Sequence, residues 1–150
     1  MVGGDEVFIA ARRLTCETWA AANVSAYCYR FNAVVNGIPW PIQVTHFQEV
    51  AFVFNNLEGL GYATNPFANK SESYAALSQL MSNSWASFVH DLDPNGWTGR
   101  DAAVPDWPAY DLENPMNMVW DANVTTYTEP DTFRAEGIKI LNDNWNLFLR

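Results

Sequence analysis

Residues 42–54 read IQVTHFQEVAFVF: His46, one of two histidines in the chain, then Glu49, then the apolar run 50–54. A histidine set on a loop ahead of such a run can be presented at a site and held there by the packing behind it. Histidine also serves as a proton switch or a metal ligand, and a lone one is more often a surface residue or a satisfied core residue. By residue type alone, His46 is a candidate and no more. The segment before it, Asn36-Gly37-Ile38-Pro39-Trp40-Pro41, is dense in turn formers and cannot continue a sheet. It is the expected loop that carries His46 beyond the carboxyl end of a preceding strand, where open α/β sheets place their sites.

That strand is expected over residues 26–31 (AYCYRF), aromatic and short side chains after a turn at Asn23–Ser25. Upstream, Gly4-Asp5 opens a helix expected over residues 6–22. Asp5 is placed as its N-cap, a carboxylate able to accept from the orphan amides of the first turn. Phe8, Arg12, Cys16 and Trp19 fall near one face at helical spacing, with Ala11 and Thr15 beside them. Cys16 and Cys28 are the only cysteines. Counted from the turn, Cys16 lies about 9 Å down the helix at its rise per residue, and Cys28 about 10 Å along the strand. The two sit at similar height and could form a bridge contributing about 3 kcal/mol. Two buried free thiols are the alternative. Their spacing fits no metal site.

Downstream of the apolar run, residues 57–67 (LEGLGYATNPF) read as a surface loop. A long helix follows over 71–92, with Tyr74, Leu77, Met81, Trp85, Phe88 and Leu92 on one stripe, a core face. His90 falls in its last turn, where a cation is favoured by the helix dipole, and is read as structural. Asp93-Pro94-Asn95-Gly96 stops the helix. Asp91, Asp93 and Asp101 lack calcium-loop spacing and are read as solvated. Residues 116–120 read as a short strand. A last helix is expected from Thr128 with Pro130 in its first turn, and Phe133, Gly137, Leu141, Trp145 and Phe148 on its buried face.

The 150 residues suffice for one modest domain and require no second. Hydrophobic content of 49%, with seven Trp, six Tyr and nine Phe, indicates a folded core. Eight Lys and Arg against 17 Asp and Glu give a net charge of −9. That balance disfavours nucleic acid as a partner, since such binding neutralises phosphates with clustered cations. No apolar run approaches a membrane span, and the first residues, MVGGDEVFIAARR, are not a signal peptide. Three acceptor sequons nevertheless occur, at Asn23, Asn69 and Asn123. Together they lean towards a secreted glycoprotein whose signal would lie upstream.

The His46 segment resembles that of the type B carboxylesterases, α/β-hydrolases that include cholinesterases and fungal lipases. The shared features are His46, Glu49 and the Phe52-Val53-Phe54 ending; the departure is Phe47, where many members carry glycine. Gly4-Asp5-x-x-Phe8 before a helix resembles the family's preceding segment, with Ala11 where many relatives have proline. Trp85, Phe88, Asp93-Pro94-Asn95, Trp107-Pro108-x-Tyr110 and Asp131-x-x-Arg134 resemble its closing segment. The likeness runs from about Gly4 to Leu149.

The resemblance implies an α/β fold, specifically the C-terminal part of an α/β-hydrolase with one or two strands of the central sheet and three long flanking helices. It implies ester hydrolysis by a Ser-His-Glu/Asp triad without a cofactor, acting on small-molecule or lipid esters. His46 would be the one catalytic residue present. In this family's chain order the serine sits on a G-x-S-x-G elbow and the acid precedes the histidine, and no G-x-S-x-G occurs in these residues. Glu49, near in sequence, would then anchor the loop through backbone amides or a cation. An inactive gene remnant and a non-catalytic, acidic, secreted binding module are the alternatives. Neither the ester nor the oligomeric state follows from the sequence.

Overall fold

In this computed structural model, which describes residues 2–147, the chain begins in helix. A one-turn α1 (Val2–Gly4) runs into a π-helical stretch, Asp5–Ala10, and then into α2 (Ala11–Ala21). Alanine, leucine and arginine, all strong helix formers, fill much of α2. Asp5 is therefore inside the helix and not its cap: Gly4 before it already has helical backbone, φ −70° and ψ −37°. The Asp5 carboxylate instead pairs with the guanidinium of Arg134. The buried face differs as well. Ala10, Arg13 and Cys16 point inward, while Phe8 and Trp19, expected there, are 47% and 51% exposed.

Beyond the turn, β1 spans Tyr29–Phe31 only, although residues 26–28 already pair in extended form. The Tyr110 amide donates to the Ala26 carbonyl at 2.7 Å, and the Met118 amide to the Cys28 carbonyl at 2.9 Å. Cys16 and Cys28 are joined by a disulfide, their Cα atoms 6.7 Å apart, and pack with Ala26 and Tyr110. Two further strands, β2 (Met116–Trp120) and β3 (Tyr127–Pro130), complete a sheet of order β1-β2-β3. The sheet is mixed: β2 runs alongside β1 in parallel, and β3 returns beside β2 as a hairpin.

The hairpin corrects the expected last helix. Thr128 and Pro130 belong to β3, at the sheet edge, where a residue without an N–H is tolerated. The helix, α5, starts later and is short, Ala135–Asp143. Ile138 is its buried residue; Phe133, Gly137 and Trp145 are exposed, and Leu141 is half-buried. Phe148 lies outside the described residues. Among the described residues, a third strand thus stands where the start of the last helix was expected.

The described chain divides into two compact units, 2–29 with 108–118 and 128–147, and 30–107 with 119–127. In the second, α3 (Val50–Val53) packs on α4 (Glu72–Asp91). Phe52, the aromatic centre of the apolar run, is fully buried. Its ring meets Phe31, Phe67 and Tyr74 at centroid distances of 4.9, 4.6 and 6.2 Å. Ser78 of α4 donates to the Phe52 carbonyl at 3.1 Å. Trp85, Trp107 and Trp120 form a second aromatic cluster, with centroids 4.9 to 5.9 Å apart. The stripe of α4 is buried at Tyr74, Leu77 and Met81 and surfaces towards its end, where Leu92 turns left-handed at φ 59°.

Residues 57–67 form the expected loop, tied by Asn65, which donates to the Leu57 carbonyl at 3.0 Å and accepts from the Phe67 amide at 2.8 Å. Gly59 sits at φ 65°, and a Cβ there would stand 2.8 Å from Asn65 Cα. Neither the backbone nor that contact tolerates a side chain. Gly59→Ala is expected to destabilise by about 1–3 kcal/mol, read as a fall in the denaturation midpoint. A variant as stable as the parent would show that the loop relaxes without resistance.

Candidate active site

His46 lies on the turn that precedes α3, in the segment that leaves β1, and its side chain is exposed. Two residues with left-handed backbone bracket it, Gln43 at φ 60° and Phe47 at φ 77°. Gln48 holds the turn from beneath. Its buried amide donates to the Thr45 hydroxyl at 2.8 Å and to the Gln43 carbonyl at 3.2 Å. The sequence reading missed Gln48, whose only signal was a polar residue just ahead of a buried run.

Phe47 stands in backbone geometry that favours glycine, a conformation that costs a bulky residue about 1–3 kcal/mol. This gives a physical reason for the glycine that many type B carboxylesterases have after the histidine. The Phe47 ring lies 6.3 Å from the His46 ring, edge to face, and 6.4 Å from the ring of Tyr62.

Glu49 is the residue before α3, and its side chain makes no capping hydrogen bond. Its carbonyl does the anchoring, accepting from the amides of Phe52 at 2.9 Å and Val53 at 3.0 Å. Desolvation, and then the negative charge of Glu49, hold the Tyr62 hydroxyl above its ordinary pKa.

His90, at the end of α4, is exposed and paired with Asp91 at 2.6 Å. Asp91, Asp93 and Asp101 are all exposed; Asp93 and Asp101 accept from nearby backbone amides, those of Asn95 and Ala103. Among the described residues, no group of three or more His, Cys, Asp or Glu is placed to hold a metal ion. Two open concavities, of about 350 and 530 Å³, are lined by Glu17, Thr18, Ala21, Tyr110, Leu112 and Pro115, and by residues 54–58 and Leu60. His46 lines neither. Asn23, Asn69 and Asn123 are all exposed.

The densest charge cluster is in the first unit, and it is structural. Asp131, buried, accepts from Arg12 at 2.7 and 2.9 Å and from Arg13 at 2.7 and 3.0 Å. Tyr110 donates to it at 2.8 Å and Asn117 at 3.1 Å. Burial alone would raise the Asp131 pKa, but the hydrogen bonds from Arg13 and Arg12 outweigh it and hold the carboxyl well below its usual range. Burial and the bond to Asp131 push the Tyr110 hydroxyl up. Each member is hydrogen-bonded within the cluster.

The three-stranded mixed sheet with flanking helices has counterparts among known proteins. The chain belongs to the carboxylesterase family, whose model matches residues 2–135. Its similar proteins include the para-nitrobenzyl esterase of Bacillus subtilis, 24% identical over 110 residues, covering 73% of this chain and 21% of that protein. Among solved structures, a Geobacillus stearothermophilus carboxylesterase at pH 6.2 superposes with a TM-score of 0.68 at 30% identity, covering 88% of this chain and 25% of the other. The same enzyme at pH 6.8 gives 0.66 at 30% identity, over 88% of this chain and 26% of the other. The chain thus spans about a fifth to a quarter of the length of these relatives. Its fold is that of part of a carboxylesterase α/β-hydrolase.

Proposed function

We propose that these residues are the C-terminal, histidine-bearing part of a carboxylic ester hydrolase that works through a Ser-His-acid triad. The observation that carries the reading is His46, exposed on a braced turn between a sheet strand and a buried aromatic helix, in a chain of the carboxylesterase family. In such a triad the imidazole takes the proton of the serine and later gives it to the leaving alcohol. Serine and acid would come from chain upstream of residue 1, so residues 1–150 would be inactive by themselves. The relatives named above are an esterase that carries para-nitrobenzyl in its name and a carboxylesterase, which supports small-molecule esters as the substrate class. Large exposed apolar side chains such as Trp40, Phe54, Leu60 and Val89 fit surfaces that the rest of a larger hydrolase would cover.

The complete reading frame encoding this chain should carry a G-x-S-x-G elbow upstream, and its product should hydrolyse simple aryl and alkyl esters. A frame that begins at Met1, or one without a nucleophile, removes the proposal.

The same enzyme is proposed to be secreted. The support is the exposure of all three sequon asparagines, together with a disulfide that persists in oxidising compartments. Enzymatic deglycosylation of protein from its natural source should lower its mass by at least one glycan. An unchanged mass would count against glycosylation at all three sites and remove that support.

A further inference from the structure

Phe47 holds a backbone conformation that penalises any side chain, yet the residue is 56% exposed. Core packing therefore does not explain why a large ring stands there, since the burial that would offset the strain is incomplete. What the ring does touch is specific: the edge-to-face contact with His46 on one side and Tyr62 on the other. Tyr62 sits on the loop that Gly59 and Asn65 fix, so the ring is braced from behind while part of it stays open.

We propose that Phe47 is a specificity-determining residue that forms an aromatic wall beside His46 and selects esters of aromatic alcohols. The inference rests on the proposed function of His46. The imidazole that accepts the serine proton must also protonate the departing alkoxide, so the leaving alcohol passes next to it. A ring fixed against that imidazole meets the alcohol and not the acyl group. An aromatic leaving group gains offset or edge-to-face contact with it; a methyl group gains little. With glycine at this position the wall would be absent and the preference with it.

The test uses the complete esterase, with benzyl and methyl esters of one acid and, separately, methyl esters of a short and a bulky acid. Phe47→Gly should lower the benzyl-to-methyl ratio of kcat/KM by roughly tenfold, while the acyl-series ratio moves far less. Phe47→Leu should recover part of the lost ratio, and Tyr62→Leu should lower it by a smaller factor. A benzyl-to-methyl ratio that stays flat, or a shift confined to the acyl series, overturns the assignment. Equal loss on every ester does so too, because it marks Phe47 as a residue that only holds the turn. His46→Ala separates the two readings. Near-normal turnover in that variant removes both, whereas an inactive variant with a flat ratio in Phe47→Gly removes this one alone.

Discussion

His46→Ala, introduced into the complete enzyme, is expected to reduce kcat for ester hydrolysis by about 10⁴-fold or more and to leave KM little changed. The size follows from the way triad members act as a unit: once the base is gone the serine is a weak nucleophile, and only background stabilisation of the transition state remains. The imidazole is exposed on a turn, and the burial behind it belongs to Phe52 and Gln48, so the fold should survive the truncation. Unchanged near-ultraviolet circular dichroism would show that it has. Glu49→Gln is the companion measurement. Glu49 holds α3 through its carbonyl, which the amide variant keeps, so its loss of rate should be far smaller. Turnover near normal in the His46 variant would end the catalytic assignment; a Glu49 variant as impaired as His46→Ala would make Glu49 the orienting acid.

The second large effect is on stability. Asp131→Asn in the same enzyme should cost about 3–5 kcal/mol, because it leaves the buried guanidinium of Arg13 and the half-buried one of Arg12 without their counter-charge. It also replaces one of the two carboxylate oxygens with an amide that donates, so either Tyr110 or Asn117 loses its acceptor. Asp5→Asn makes the contrast: its pair with Arg134 is partly exposed, and pairs of that kind contribute about 1 kcal/mol or less. The pH dependence has a definite sign. The folded-state pKa of Asp131 lies below the ordinary value of 3.8. Its stabilisation is therefore complete above that value and is lost as pH falls through the folded one. Tyr110 is shifted the other way, above 10.0, so its part is complete below about pH 10 and is lost at higher pH. Denaturation midpoints of the parent should fall at both extremes, and the acid limb should flatten in Asp131→Asn. Equal acid limbs in parent and variant would show that the carboxylate is not what titrates.

Local signals were legible where local physics decides. The α4 stripe, its stop at Asp93 and Pro94, the strand at 116–120 and the turn presenting His46 all stand close to where the sequence put them. Three of the misses share one cause: a partner distant in the chain. Asp5 looks like a cap until Arg134, 129 residues away, claims it. Pro130 fits the first turn of a helix and the edge of a sheet equally well by residue type, and only the pairing of β3 with β2 decides. Arg12 and Arg13 gave no hint that one of them is buried, since Asp131 is what makes that burial tolerable. The left-handed backbone of Phe47 was visible only as a departure from a glycine pattern, without its geometric reason.

The link between Arg13 and Asp131 also sets a clock on biosynthesis. The two residues are 118 positions apart, so at about 5–20 residues per second a ribosome needs roughly 6–24 s to supply the carboxylate after the arginine. Throughout that interval Arg12 and Arg13 lack the carboxylate that they pair with in the fold. Residues 30–107, by contrast, form most of their unit from one uninterrupted stretch, and can collapse while the ribosome is still elongating. Nascent-chain capture should therefore find residues 30–107 protease-resistant first, with the helix that carries Arg13 waiting on a segment made 118 residues later.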